Sequence, residues 1–224
     1  MNIKKFEEYI KNLDISKFEI QADINFNKPK FDIIGGWCSP PTMQLINNIT
    51  SNFMNDSDYY LEVGSYRGKS LIAALYQNQI RAYVIEAFEK HLPDGLNIKR
   101  IWNENIDIFK IRDRITLFEE DYRLFHEDLP SISFLYYDAN HDSGHTYEAL
   151  KKLENYLADQ AIIMVDDYYI KEWPQPLSYP GYEKTLLPVK IDVDRWLIEN
   201  QYCKLIKITN WINGQAIMIY NRKF

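Results

Sequence analysis

From Tyr59 onward the chain alternates short apolar runs with helical stretches, and this alternation constrains its fold more than any other feature. Tyr59 to Val63, Ala82 to Ile85, Ile115 to Phe118, Ser133 to Tyr137 and Ala161 to Val165 are short apolar or β-branched runs. Lys69 to Gln79, about Asn103 to Phe109, and Tyr147 to Ala158 read as helices, the last with Leu150, Leu153 and Leu157 on one stripe. Strands alternating with helices predict an α/β fold, a mostly parallel sheet with helices on both faces. The ending differs. After a helix over about Asp192 to Asn200, Lys204 to Trp211 and Gln215 to Asn221 read as strands joined at Asn213-Gly214, a pair that tolerates positive φ in a tight turn. The sheet is therefore expected to close with an antiparallel hairpin.

Upstream, Ile3, Phe6, Tyr9, Ile10 and Leu13 have helical spacing, a polar stretch to Lys30 reads as extended, and Ser39-Pro40-Pro41 opens a second helix to about Phe53. At roughly 150 residues per domain, 224 residues suit one domain with an added lobe. The expected division is an N-terminal helical cap over residues 1–55 and an α/β domain, expected to be the catalytic one, over residues 56–224. Lys and Arg number 26 against 32 Asp and Glu, a net charge of −6 that argues against capture of nucleic acid or an anionic membrane. Cys38 and Cys203 form neither a disulfide framework nor a zinc pattern. Residues 1–8 lack the apolar stretch of a signal peptide, and no run reaches the roughly 18 apolar residues that span a bilayer, so a cytoplasmic protein with a small neutral or cationic partner is expected.

The segment Leu61-Glu62-Val63-Gly64-Ser65-Tyr66-Arg67-Gly68-Lys69-Ser70 lies where the first strand turns into its helix. Glycines there let the backbone turn tightly and approach a ligand. Glu62 ends that strand, and Glu86 ends the next one at the offset where an acid accepts hydrogen bonds from ribose hydroxyls in dinucleotide folds. Gly64 to Ser70 also spells a phosphate-binding loop one residue short, with Val165-Asp166-Asp167 able to pose as its magnesium strand. The loop length is wrong for a phosphate cradle, and Glu62 would repel a triphosphate. A ligand with a ribose and a positive centre but no phosphate suits these acids, and S-adenosylmethionine is one.

Glu62-x-Gly64-x-x-x-Gly68, Glu86 and the closing hairpin together resemble a class I S-adenosylmethionine-dependent methyltransferase, from about Tyr59 to the C-terminus. The resemblance implies a Rossmann-like seven-stranded sheet. It places Glu62 and the loop residues Gly64, Ser65, Tyr66, Gly68 and Ser70 near the methionine part, Glu86 on the ribose, and Asp121-Tyr122 beside the adenine.

A second cluster, Asp138-Ala139-Asn140-His141-Asp142-Ser143-Gly144-His145, follows the fourth strand, and Asp166-Asp167 follows the fifth. Neighbouring parallel strands would bring Asp138, Asp166 and Asp167 to the carboxyl edge of the sheet, where three repelling carboxylates are usually reconciled by an oxygen-preferring divalent ion. This resembles the family's magnesium-assisted O-methyltransferases, with Asp138, Asp166 and Asp167 as metal ligands. Asp138 also counts as a cofactor contact and, with His141 and His145, as a catalytic candidate. The two histidines compete for the family's histidine, because Ala139 stands where glycine is common and residues 142–145 look inserted.

The connection from Tyr168 to Pro188, with Trp173, Tyr179 and Tyr182, could cover a substrate or pack against a second copy of the chain in a homodimer; Lys171 and Lys184 are further candidate bases. The expected activity is O-methylation of a small hydroxylated acceptor, assisted by magnesium. The alternatives are a non-catalytic module binding S-adenosylmethionine or S-adenosylhomocysteine, and a P-loop-like nucleotide hydrolase.

Overall fold

The computed structural model describes residues 1–26, 28–88, 97–169, 188–211 and 213–222. Its elements, in chain order, are α1 (Ile3–Lys11), α2 (Ile15–Phe26), α3 (Pro29–Asp32), α4 (Pro40–Asn52), β1 (Tyr59–Val63), α5 (Lys69–Leu75), β2 (Arg81–Ile85), α6 (Ile98–Ile108), β3 (Ile115–Phe118), β4 (Ile132–Tyr137), α7 (His145–Leu153), β5 (Leu157–Val165), α8 (Pro188–Glu199), β6 (Cys203–Ile208) and β7 (Ala216–Asn221). The strands form one seven-stranded sheet in the order β3-β2-β1-β4-β5-β7-β6. All pairings are parallel up to β5, and β7 runs antiparallel to both β5 and β6.

Side chains alternate across the sheet because successive strand residues point to opposite faces. Tyr60, Phe134, Tyr136, Ile162, Met164, Ile217 and Ile219 join one core with Phe6 of α1, Phe18 of α2, Ile46 of α4, Leu71 of α5 and Trp102 of α6. Leu61, Val63, Leu135, Tyr137, Ile163, Val165 and Met218 join the other with Leu150 of α7 and Trp196 of α8. Helices therefore cover both faces, and the strands read as nearly continuous apolar runs.

Ser39 caps α4 by accepting from Thr42 N at 3.3 Å, with proline in the first turn. The stretch expected to be extended up to Lys30 is instead helical, as α2 and α3. From Phe18 to Phe26 apolar and polar residues alternate strictly, a strand-like period. The helix resolves this by burying every second apolar residue, Phe18, Ala22 and Phe26, while Ile20 and Ile24 stay exposed. Phe18 stacks on Trp211 with ring centroids 5.2 Å apart. Two other boundaries move. Leu157, expected on the stripe of α7, opens β5 after a 3₁₀ turn over Glu154–Tyr156, and β6 and β7 are joined by residues 209–215 rather than by a two-residue turn. Gly214 does have positive φ, +80°. Most of the connection from Tyr168 to Pro188, including Lys171, Trp173, Tyr179, Tyr182 and Lys184, lies outside the described residues. No helix among the described residues is long and apolar enough to cross a membrane.

Candidate active site

Strand order reverses between β1 and β4, and a crevice at the carboxyl ends of the strands is expected at such a switch point. The register levels the strand ends, pairing Val63 with both Ile85 and Tyr137, and Tyr137 with Val165. The next residue of each strand continues the ladder: Gly64 N donates to Ile85 O, Asp138 N to Val63 O, and Asp166 N to Tyr137 O, at 2.9–3.0 Å. Gly64, Glu86, Asp138 and Asp166 thus stand side by side.

Gly64 has φ +86°, and a Cβ on it would lie 2.0 Å from Asp138 O. No other residue fits where the loop after β1 crosses the end of β4. The loop is closed from the other side by Glu86, whose Oε2 accepts from Ser65 N at 2.6 Å and Tyr66 N at 2.7 Å, while Oε1 accepts from Phe88 N at 2.7 Å. A carboxylate offers about four acceptor positions, so one remains on Oε1 for a ligand. Glu62, fully buried on the apolar face that Tyr60 shares, accepts from the Tyr60 hydroxyl and from Ser70 Oγ at 3.0 Å. Ser70 is thereby engaged away from any bound nucleotide, which counts against the hydrolase reading.

Burial pushes the Glu62 carboxyl up to about 7. Its folded-state value is raised, so its contribution to stability is full below about pH 4.5 and is lost as pH rises through 7. The advantage of Glu62→Gln over the wild type in denaturant unfolding should therefore grow between pH 5 and pH 8 by on the order of 2–3 kcal/mol. A difference that stays constant with pH would show that Glu62 is ionised throughout.

On the acidic side, His141 Nε2 lies 3.0 Å from Asp167 Oδ2 and 3.7 Å from Asp138 Oδ1. One ligand atom from each of Asp138, His141 and Asp167 lies within 4.8 Å of the others. Asp166, expected to converge with Asp138 and Asp167, lies beside them: its carboxylate accepts from the Tyr136 hydroxyl at 2.6 Å, which also reaches Asp138 Oδ2 at 3.3 Å, and from Gln215 Nε2 at 2.7 Å and Asp167 N at 2.9 Å. Desolvation in the cleft, then the charges of Asp166 and Asp167, hold the Asp138 carboxyl well above the usual carboxylate range. Asp167 has φ +56°, a left-handed conformation that Asp tolerates and that turns its side chain toward His141.

Residues 61–168 match the family model of a methyltransferase domain. The fold is the Rossmann-like fold of methyltransferases. No curated protein matches the chain in sequence. Among solved structures, the O-methyltransferase TomG of Streptomyces achromogenes, involved in tomaymycin synthesis and in complex with SAM, superposes with a TM-score of 0.61 at 14% identity over 97% of this chain and 96% of that one. An O-methyltransferase of Bacillus cereus in complex with SAH gives 0.60 at 14% identity over 97% of each chain. An SAH-bound methyltransferase of Podospora anserina gives 0.57 at 16% identity over 97% of this chain and 93% of that one.

Within this fold, the two competing histidines separate. His141 faces the carboxylates, whereas His145 Nδ1 lies 3.0 Å from the Tyr122 hydroxyl, which also donates to His145 O. Tyr122 is buried in the core beside α7. Asp121 is paired with Arg123, whose guanidinium holds its carboxyl below the usual range. Sequence patterns did not point to the segment before α4. Burial there, and then the charges of Asp166, Asp138 and Glu62, push the Cys38 thiol up and keep it neutral. Its neighbour Trp37, 76% exposed, stacks on Tyr66 of the glycine loop with centroids 5.5 Å apart. The consecutive Gly35-Gly36, both at positive φ, were the available signal of a tight approach.

Proposed function

We propose that the protein is an S-adenosylmethionine-dependent O-methyltransferase acting on a small hydroxylated acceptor, with a divalent cation assisting. The observation that carries this reading is the direct packing of the glycine loop against the Asp138 edge, with Gly64 leaving no room for a side chain. A methyl-donor site and an acid-histidine cluster then share one crevice. When bound, S-adenosylmethionine supplies a methyl group on a cationic sulfur, and a divalent ion lowers the pKa of an acceptor hydroxyl. The residues fit both. Glu86 and Asp138 suit a positive centre, and two carboxylates with an imidazole are a reasonable donor set for an ion.

The chain's own task is positioning and proton handling. Glu86 holds the loop amides of Ser65 and Tyr66. Asp138, Asp167 and His141 would hold the ion and, through it, the acceptor oxygen. In a metal-free variant of the same reaction, Asp167 would orient His141 at 3.0 Å as general base, taking the hydroxyl proton as the new O–C bond forms and the S–C bond breaks. Magnesium and EDTA titrations of activity separate the two variants.

S-adenosylhomocysteine should raise the melting temperature while ATP leaves it unchanged, because only a ligand of the native state stabilises it. Glu86→Ala should weaken S-adenosylhomocysteine binding by about 1–3 kcal/mol in calorimetry. Stabilisation by ATP alone would replace this reading with the hydrolase, and wild-type affinity in a folded Glu86→Ala variant would remove Glu86 from the site.

A further inference from the structure

β7 runs antiparallel beside β5 and pairs Ala216 with Val165, so residues 213–215 of the loop before β7 are delivered to the carboxyl end of β5, where Asp166 and Asp167 follow. Two side chains of that loop reach the acids. Gln215, 1% exposed, donates from Nε2 to Asp166 Oδ1 at 2.7 Å, and Asn213 donates from Nδ2 to Asp167 Oδ1 at 2.7 Å. The loop is itself held. Tyr168 N donates to Gly214 O at 2.9 Å and Tyr169 N to Asn213 O at 2.6 Å. Gln215 N donates to Thr209 Oγ1 at 3.0 Å, and the Thr209 hydroxyl is bonded to Gln215 Oε1. A Cβ on Gly214 would lie 2.9 Å from both Thr209 O and Tyr169 Cδ2, so the loop has little room to shift.

We propose that Asn213 and Gln215 are positioning residues for the acidic cluster, Asn213 setting which oxygen of Asp167 faces the crevice and Gln215 holding Asp166 beside it. A carboxylate can present either oxygen by rotating about its last torsion. With Oδ1 of Asp167 occupied by Asn213, Oδ2 is the oxygen left 3.0 Å from His141. Asp166 is held through both oxygens, Oδ1 by Gln215 and Oδ2 by the Tyr136 hydroxyl. Both donors are neutral amides. They orient the acids without cancelling the negative charge that draws a cation, which a lysine or arginine in the same place would do. The closing hairpin is thus part of the site, although it lies about fifty residues further along the chain.

This role rests on the cation reading above, and the test keeps the two apart. Mn²⁺ binding is measured by electron paramagnetic resonance on the full-length chain, with S-adenosylhomocysteine affinity by calorimetry as the second readout. The wild type should bind one Mn²⁺. Asn213→Ala should weaken Mn²⁺ 10- to 100-fold, the usual cost of removing a ligand's hydrogen-bond partner, with S-adenosylhomocysteine affinity unchanged. In an Asp167→Asn background the same substitution should cost less than twofold, because the oriented charge is already gone. No Mn²⁺ binding by the wild type would overturn the cation reading, and this role with it, before any variant is compared. Where the wild type binds, unchanged Mn²⁺ affinity in Asn213→Ala, or equal losses of Mn²⁺ and S-adenosylhomocysteine, would overturn the positioning role alone.

Discussion

Gly64→Ala is expected to abolish S-adenosylhomocysteine binding and to destabilise the fold by about 3–5 kcal/mol. Two costs coincide at this position. The residue has φ +86°, where a side chain is strained, and the added Cβ would lie 2.0 Å from Asp138 O, 2.6 Å from Asp138 C and 2.8 Å from Ala139 Cα. Those atoms belong to backbone that is hydrogen-bonded to β1 through Asp138 N and Val63 O, so they cannot yield without breaking the sheet edge. Any relaxation would open the β1–β4 crevice. Thermal unfolding and calorimetry read both effects, and near-wild-type behaviour in both would mean that the loop does not approach β4 as described.

Asp138→Asn should move stability and function in opposite directions. Burial and the charges of Asp166 and Asp167 raise the Asp138 carboxyl, so ionising it opposes folding, and the penalty appears as pH rises from its unfolded value toward its folded one. At pH 7.5 in EDTA the variant should be the more stable of the two, in keeping with the general trade between stability and function at such sites. At pH 4 the advantage should vanish. Mn²⁺ affinity should fall at least tenfold, because one of the two charged ligands near His141 is lost. Lower stability at pH 7.5 together with unchanged Mn²⁺ binding would remove Asp138 from the cluster.

Much of this architecture was legible locally. β1 and β3 begin and end where their apolar runs do, and β2 and β4 lie within a residue of theirs, because a buried strand between turns needs only its own side chains to declare itself. The glycine spacing after β1 and the positive φ of Gly214 were legible for the same reason: the backbone requirement is met within one or two residues. α2 was not. Its strict apolar alternation favours a strand, and only packing of Phe18, Ala22 and Phe26 against a core built from distant elements makes it a helix.

The site divides in the same way. The residue types needed for a crevice at the strand ends, with Glu62, Glu86, Asp138 and the acid pair after β5, follow from sequence because each lies within two residues of a strand's end. Tertiary structure alone decided that His141 joins Asp138 and Asp167, that the Tyr136 hydroxyl links Asp138 to Asp166, that His145 turns to Tyr122, and that Asn213 and Gln215 reach the acids. Those outcomes depend on which strands are neighbours and on which donor reaches each carboxylate oxygen first. Strand order and register set both across separations of up to about fifty residues, a range over which sequence periodicity carries no information.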